Sequence, residues 1–245
     1  MSNKISANAS LSLIALVFFV LFLSPMTVFA YDPPYNNPVF QNVLGKAKLQ
    51  FPTDKIRIGY GRFDGRAKSY FYLEKGRYMT FKVNKQQGGS IVRAELRLGP
   101  TDWQVDTRTP KILNAELHLS SPNGLNQITL LQIHAVDPSY PPLRITWLKS
   151  HRGVKDHVWA ILRPSPYRRD IRYVDLGKRH GKKFTRYTIK VVNETLQVWA
   201  ERKLEVTQSL SNWKGTNNYF KAGVYLSGKG DGGLAKVRFR VLEYH

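Results

Sequence analysis

Hydrophobic and polar residues alternate with a period of two along most of the chain after residue 68. Successive side chains of a β-strand point to opposite faces of a sheet, so this pattern predicts strands with one buried face. Turn-forming pairs such as Asn123-Gly124 and Gly232-Gly233 separate these segments. The predicted strands are 69–74, 77–83, 91–98, 112–119, 127–135, 143–148, 157–163, 172–176, 186–192, 195–201, 219–226 and 235–243.

Helical periodicity is almost absent from the same region. One short helix is predicted at 39–47, after a Pro- and Asn-rich entry. No period of 20–50 residues repeats, which disfavours solenoids and propellers. The pattern therefore predicts one all-β domain over residues 31–245, a two-sheet β-sandwich or jelly roll. By analogy with other jelly rolls, we expect a concave sheet that forms a substrate groove.

Residues 1–30 follow a different pattern. Lys4 precedes an apolar run at 11–23, and Val28-Phe29-Ala30 resembles a signal peptidase site. The run is short for a membrane span, so we predict a signal peptide cleaved after Ala30 and a secreted or periplasmic protein. The alternative is an uncleaved membrane anchor. After cleavage we expect a monomer with no stable membrane association.

The composition adds a strong positive charge. The formal net charge is +21 over 245 residues, and removal of residues 1–30, with one Lys and no acid, leaves +20 on 215 residues. Such a charge indicates a polyanionic partner, and export favours an acidic polysaccharide over nucleic acid. The absence of cysteine excludes a disulfide scaffold, a thiol nucleophile and a Cys-ligated metal.

Three predicted strands carry ionisable and hydrogen-bonding side chains on the face opposite their apolar side. These side chains are Arg93, Glu95 and Arg97 in "IVRAELRL", Gln132 and His134 in "QITLLQIHA", and Tyr219, Lys221 and Tyr225 in "YFKAGVYL". Such a set suits a carboxylate: Arg for charge pairing, Gln and His for hydrogen bonds, and Tyr or His to move a proton. Glu95 is expected to orient the two arginines between which it lies. Glycoside hydrolysis normally needs two carboxylic groups, which makes it the weaker enzymatic interpretation.

The segments "RAELR" (93–97), "QIH" (132–134) and "YFKAGVY" (219–225) resemble, in this order, the three signature strands of the alginate lyases of polysaccharide lyase family 7. This resemblance implies a jelly roll that cleaves a polyuronate by β-elimination to unsaturated oligouronides, with no metal or other cofactor. It covers the chain from about residue 40 to the end.

The resemblance also implies residue roles. Arg93, Gln132 and His134 would neutralise the C5 carboxylate, and Tyr225 would deliver the proton to the leaving O4. For guluronate His134 would remove the C5 proton; for mannuronate Tyr225 would serve as both base and acid. Three other side chains of the same strand faces would bind substrate: Arg97, Lys221 and Tyr219. Lys221 and the arginines are also expected to favour the phenolate of Tyr225.

The segment after Tyr225 departs from the family pattern. Leu226 and Ser227 stand where the family usually has Asn-Gln, which removes two amides from the expected groove. Two alternatives therefore stay open: a non-catalytic, lectin-like module that binds an acidic polysaccharide, and a lyase acting on another polyuronate such as glucuronan.

Overall fold

The computed structural model describes residues 31–137, 140–167 and 170–245. Residues 31–245 form one compact unit. The predicted signal peptide lies outside the described residues. Within the described residues, no helix has the length and apolar character needed to cross a membrane.

Two antiparallel sheets make up the fold. Along the eight-stranded sheet the order is β10 (Arg172–Lys178), β9 (Val154–Leu162), β8 (Leu143–His151), β7 (Gln127–Ala135), β14 (Asn218–Leu226), β5 (Val92–Trp103), β1 (Ala47–Gln50) and β2 (Ile56–Ile58). Along the seven-stranded sheet it is β13 (Lys203–Ser209), β12 (Thr195–Ala200), β11 (Thr185–Val192), β6 (Lys111–Leu119), β15 (Gly233–Tyr244), β4 (Tyr78–Lys85) and β3 (Phe71–Glu74).

The all-β jelly-roll prediction is confirmed, and each of the twelve predicted strands has a counterpart. The three strands without a prediction are β1, β2 and β13. The first two have only four and three residues, too few for a readable alternation. In β13 only Val206 is fully buried, because this strand lies at the edge of its sheet.

Within the described residues, one α-helix, α1 (Pro38–Gly45), lies before β1, close to its predicted position. The Asn37 side chain accepts a hydrogen bond from the backbone N–H of Val39, and Pro38 occupies the first turn, where it costs no hydrogen bond. Two further turns, Pro34–Asn36 and Ser211–Trp213, are 3₁₀-helical.

The hydrophobic core contains the apolar faces of both sheets. In β7, Leu131 and Ile133 have no exposed surface and belong to this core. The alternation then directs the intervening Gln132 and His134 to the opposite face of the eight-stranded sheet. The same logic holds for β5 and β14, whose core sides include Leu96 and Phe220.

Candidate active site

Strands β7, β14 and β5 are neighbours in the eight-stranded sheet. The central strand, β14, aligns the three motifs. Lys221 lies opposite Gln132 on one side and Arg97 on the other. Tyr225 lies opposite Arg93. Three segments far apart in sequence therefore place their ionisable and hydrogen-bonding side chains on one surface of the sheet.

A glycine allows β14 and β5 to approach closely at this surface. Gly223 has φ +144° and lies opposite Glu95. A Cβ atom added at Gly223 would be 2.3 Å from the carbonyl oxygen of Ala94 and 2.9 Å from Cα of Glu95. No other residue type fits without moving the backbone of β5.

A cavity of about 250 Å³ opens on this surface. Four of the predicted site residues line it: Arg93, Gln132, His134 and Tyr225. The other lining residues are Tyr140, Pro141, Arg144 and Arg163. The cavity therefore combines three guanidinium groups with an imidazole, an amide and two phenols, and its positive charge suits an anionic ligand.

Glu95 lies beneath the cavity and is only 1% exposed. Its carboxylate accepts hydrogen bonds from Lys221 Nζ at 2.7 Å and from Gln132 Nε2 at 2.6 Å. Arg93 is more distant, with NH1 3.7 Å from Oε2. The expectation that Glu95 orients two arginines is therefore corrected: it holds Lys221 and Gln132, and Arg97 instead pairs with Asp102 at 2.5 Å.

Lys221 was expected to bind substrate and to act on Tyr225, and the structure gives it a different place. It is 2% exposed and forms an ion pair with Glu95, so its ammonium group does not face the cavity. Burial lowers the pKa of Lys221, whereas the charge of Glu95 opposes this shift. Its role is to balance the buried carboxylate that positions Gln132.

His134 is held as a neutral imidazole. Burial is the largest cause that lowers its pKa, to about 4, and the charges of Lys221 and Arg93 act in the same direction. Nδ1 lies 2.8 Å from the carbonyl oxygen of Ala135. A carbonyl only accepts, so Nδ1 carries the proton and Nε2 keeps a lone pair. A neutral imidazole with a free lone pair can accept a proton.

Two arginines flank Tyr225. The guanidinium carbon of Arg93 lies 4.7 Å from the centre of the Tyr225 ring. Arg144 is close enough to Tyr225 for an electrostatic interaction. Of the cations expected beside Tyr225, Arg93 therefore contacts its ring, whereas Lys221 pairs with Glu95.

Arg97 and Tyr219 lie beside the cavity rather than in its lining. The Arg97 guanidinium stacks on the Tyr219 ring, 3.8 Å from its centre. The Tyr219 hydroxyl is 3.2 Å from Nδ1 of His134, and the two rings stack at 5.3 Å. Tyr219 therefore contacts the imidazole directly and supports its orientation.

The departure after Tyr225 has less effect on this surface than expected. Leu226 has no exposed surface and belongs to the core, so an amide at this position would not face the cavity. The Ser227 hydroxyl accepts a hydrogen bond from Gln127 Nε2 at 2.7 Å. The change at residue 226 is therefore a core substitution.

Sequence reasoning missed the cavity residues Tyr140, Arg144 and Arg163. Arg144 lies opposite Gln132, on the strand that follows the "QIH" motif. Arg144 alternates with the buried Leu143 and Ile145, so the same period of two that was used for the other three strands places it on the face opposite the core. Arg163 is the last residue of the predicted strand 157–163, next to the buried Leu162, so its direction was also readable, although β9 ends at Leu162. Tyr140 lies outside the strands, where no alternation indicates its direction.

Across 31–137, 140–167 and 170–245, no group of three or more His, Asp or Glu side chains is arranged to hold a metal ion.

Comparison with known proteins places these motifs in a family. The family model described as alginate lyase matches residues 43–245. The chain belongs to the alginate lyase family. It is a polysaccharide lyase of polysaccharide lyase family 7, and the resemblance drawn from the three motifs is confirmed.

Individual relatives agree with this assignment. An alginate lyase of Photobacterium sp. (strain ATCC 43367) is 26% identical over 253 residues, which cover 85% of this chain and 87% of the relative. The solved structure of alginate lyase AlyC3 is 26% identical with a TM-score of 0.77, covering 88% of this chain and 96% of AlyC3. The family 7 alginate lyase A1-II', at 17% identity and a TM-score of 0.71, shares the fold.

Proposed function

We propose that this lyase is exported and cleaves the 1,4-glycosidic bonds of alginate by β-elimination, releasing unsaturated oligouronides. The observation that carries the proposal is the convergence of Arg93, Gln132, His134 and Tyr225 on one cavity. The two relatives at 26% identity support the choice of polymer: both are alginate lyases, and AlyC3 has also been solved with dimannuronate.

Neutralisation of the substrate carboxylate is the first requirement. A proton on C5, next to an ionised carboxylate, is hardly acidic until that carboxylate is paired. Arg93 supplies charge-assisted hydrogen bonds. Gln132 donates one amide hydrogen to Glu95, and its second hydrogen is directed to the substrate. These contacts stabilise the enolate-like transition state.

Proton transfer is the second requirement. With guluronate, Nε2 of His134 takes the C5 proton, the C4–O4 bond breaks as the C4–C5 double bond forms, and Tyr225 protonates the departing O4. With mannuronate the proton and the leaving group lie on the same side of the ring, and Tyr225 performs both transfers. Arg93 and Arg144 stabilise the negative charge that develops on the phenolic oxygen.

The test is an ultraviolet assay with separate mannuronate-rich, guluronate-rich and glucuronan polymers. The expected result is a new absorbance from the unsaturated product with one or both alginate polymers, and persistence of that absorbance in a chelator. Product from glucuronan alone would identify a different polyuronate. Measurable binding with no product from any polymer would indicate the lectin-like alternative.

A further inference from the structure

A second cavity, of about 290 Å³, lies on the seven-stranded sheet. Its lining residues are Ile112, Arg186, Thr188, Lys190, Trp199 and Arg202. In β11 the neighbouring side chains Tyr187 and Ile189 are buried in the core, so Arg186, Thr188 and Lys190 point outwards. This cavity and the active-site cavity therefore open on different sheets, on opposite sides of the core.

An aromatic ring lies at the middle of this outer surface. Trp199 of β12 is half-buried and lies opposite Thr188. Arg186 and Lys190 extend to either side of that position, roughly 13 Å apart along the strand. Arg202 is in the tight turn after β12, where it and Glu201 have positive φ angles. The result is one indole with cations at its margin.

The three cations make no close ion pair with an acid among the described residues. In the part of the chain that the structure describes, none of Arg186, Lys190 and Arg202 forms an ion pair within 4 Å. The nearby acid Glu116 lies opposite Arg186 and interacts with its charge, but its ion pair is with Arg240. Glu201 accepts a hydrogen bond from the backbone N–H of Arg186 at 2.8 Å. The positive charge of this surface is therefore available to an external anion.

We propose that this surface is a second, non-catalytic binding site for a linear acidic polysaccharide. The indole offers an apolar face on which the C–H face of a pyranose ring stacks, and the cations pair with carboxylates of neighbouring sugars. A neutral polysaccharide has no carboxylates to pair with the cations. A nucleic acid strand would find only one aromatic ring, Trp199, on which its bases could stack. The choice of alginate as the probe rests on the proposed function.

A second site on the opposite side of the core has a consequence for long substrates. A polymer held at Trp199 keeps other segments of the same chain near the active cavity, which raises their effective concentration there. An oligosaccharide too short to bridge the two sites gains nothing. The contribution of this surface should therefore depend on chain length.

The test compares two double variants in a Tyr225→Phe background, in which polymer is not consumed. Lys190→Gln/Arg202→Gln removes two cations from the cavity. Arg77→Gln/Lys82→Gln removes the same charge from exposed positions at the β3–β4 side of the same sheet. Electrophoretic retardation is measured in gels containing alginate, dextran or no polymer, and the mass in solution is measured by sedimentation.

We expect the cavity double variant to weaken alginate affinity at least threefold, with little loss in the control and no retardation by dextran. Trp199→Ala should act like the cavity double variant. In the active enzyme, the cavity substitutions should leave kcat/KM for a short oligouronide unchanged and lower it for the polymer.

An equal loss of alginate affinity in both double variants would mean that only the net charge matters, and it would overturn the proposal. Retardation by dextran equal to that by alginate would also overturn it. So would a difference in mass between the cavity variant and its parent in the absence of polymer, because it would indicate a protein interface. The absence of ultraviolet product from every polyuronate, with retardation intact, would count against the proposed function and leave this site standing.

Discussion

Glu95 illustrates how the chemistry of a site residue depends on its neighbours in space. In sequence it lies between Arg93 and Arg97, and in the sheet its strand, β5, lies between β14 and β1. Its shorter contacts are to Lys221 on the adjacent β14 and to Gln132 on β7, the strand beyond β14. A fully buried carboxylate needs such partners, because an unpaired charge in the interior is costly. Glu95 is therefore the link between the three motifs.

The two tyrosines of β14 should differ in function. Tyr225→Phe keeps the ring over which Arg93 lies but removes the hydroxyl that transfers the proton, so kcat should fall about 100-fold or more. Tyr219→Phe removes only a 3.2 Å contact to the Nδ1 side of His134 and should keep most of kcat. Steady-state kinetics on alginate check this, with circular dichroism to confirm folding. A near-normal rate for Tyr225→Phe would contradict the mechanism.

His134 should stay neutral well below the usual range of histidine. Its pKa of about 4 predicts that kcat/KM for guluronate-rich polymer shows no loss attributable to this ring between about pH 7 and pH 5. The measurements are kcat/KM for guluronate-rich polymer over this pH range and an NMR titration of the His134 ring in the absence of substrate. A midpoint near 6.5 would contradict the neutral-base assignment.

The same shift has a consequence for stability. The unfolded chain binds a proton at His134 near pH 6.5, whereas the folded protein binds it only near pH 4. Between these values the unfolded state holds more protons, so stability rises with pH and falls on acidification. His134→Gln should make the free energy of unfolding less dependent on pH in this window, as measured by urea denaturation.

At the level of strands, the direction of side chains was readable from sequence because the strand period is two. Gln132 and Leu131 were assigned to opposite faces, and the structure agrees: Gln132 lines the active-site cavity and Leu131 lies in the core. The order of the strands in the sheet was not readable, since it depends on long-range packing. Arg144 shows this limit: its face was predictable, but its position next to Gln132 follows from the pairing of β7 with β8.

Gly223 is the residue on which the close approach of β14 and β5 depends. Gly223→Ala would place a methyl group 2.3 Å from the Ala94 carbonyl oxygen, and β5 would have to move. Such a shift displaces Arg93 and Glu95 together, so we expect a large loss of kcat with a lower melting temperature. Gly153→Ala is a matched control, because that glycine also has positive φ and nothing lies within 4 Å of its added Cβ. Equal effects would show that backbone strain alone is responsible.

The connection between β14 and β15 depends on a buried ion pair. Lys85 Nζ lies 2.6 Å from Asp231 Oδ1, with both side chains 1% exposed. The second oxygen of Asp231 accepts from the backbone N–H of Asn126 at 2.9 Å. Asp231→Asn leaves Lys85 buried without its counter-charge, which should cost about 3–5 kcal/mol. Glu205→Gln, at the exposed pair with Lys203, should cost about 0–1 kcal/mol in the same urea titration.

Over the whole molecule, the positive charge acts on capture of the polymer more than on chemistry. The chain carries +21 in formal charge, and three arginines line the active cavity. Attraction between exposed charges is screened within a Debye length of about 8 Å at physiological ionic strength, so added salt should weaken the encounter with a polyanion. The buried contacts of Glu95 with Lys221 and Gln132 are shielded from salt by the protein.

Because the capturing charges are exposed and the contacts beneath the active site are buried, salt should affect KM and kcat differently. Raising NaCl from about 0.05 to 0.5 M should increase KM for alginate several-fold and leave kcat within about twofold, because the residues that transfer protons are positioned by buried contacts. The measurement is initial-rate kinetics over a range of polymer concentrations at each salt concentration. Short oligouronides carry fewer charges and should show a smaller rise in KM. A kcat that collapses at moderate salt while KM stays constant would contradict electrostatic capture and indicate that salt acts on the catalytic groups themselves.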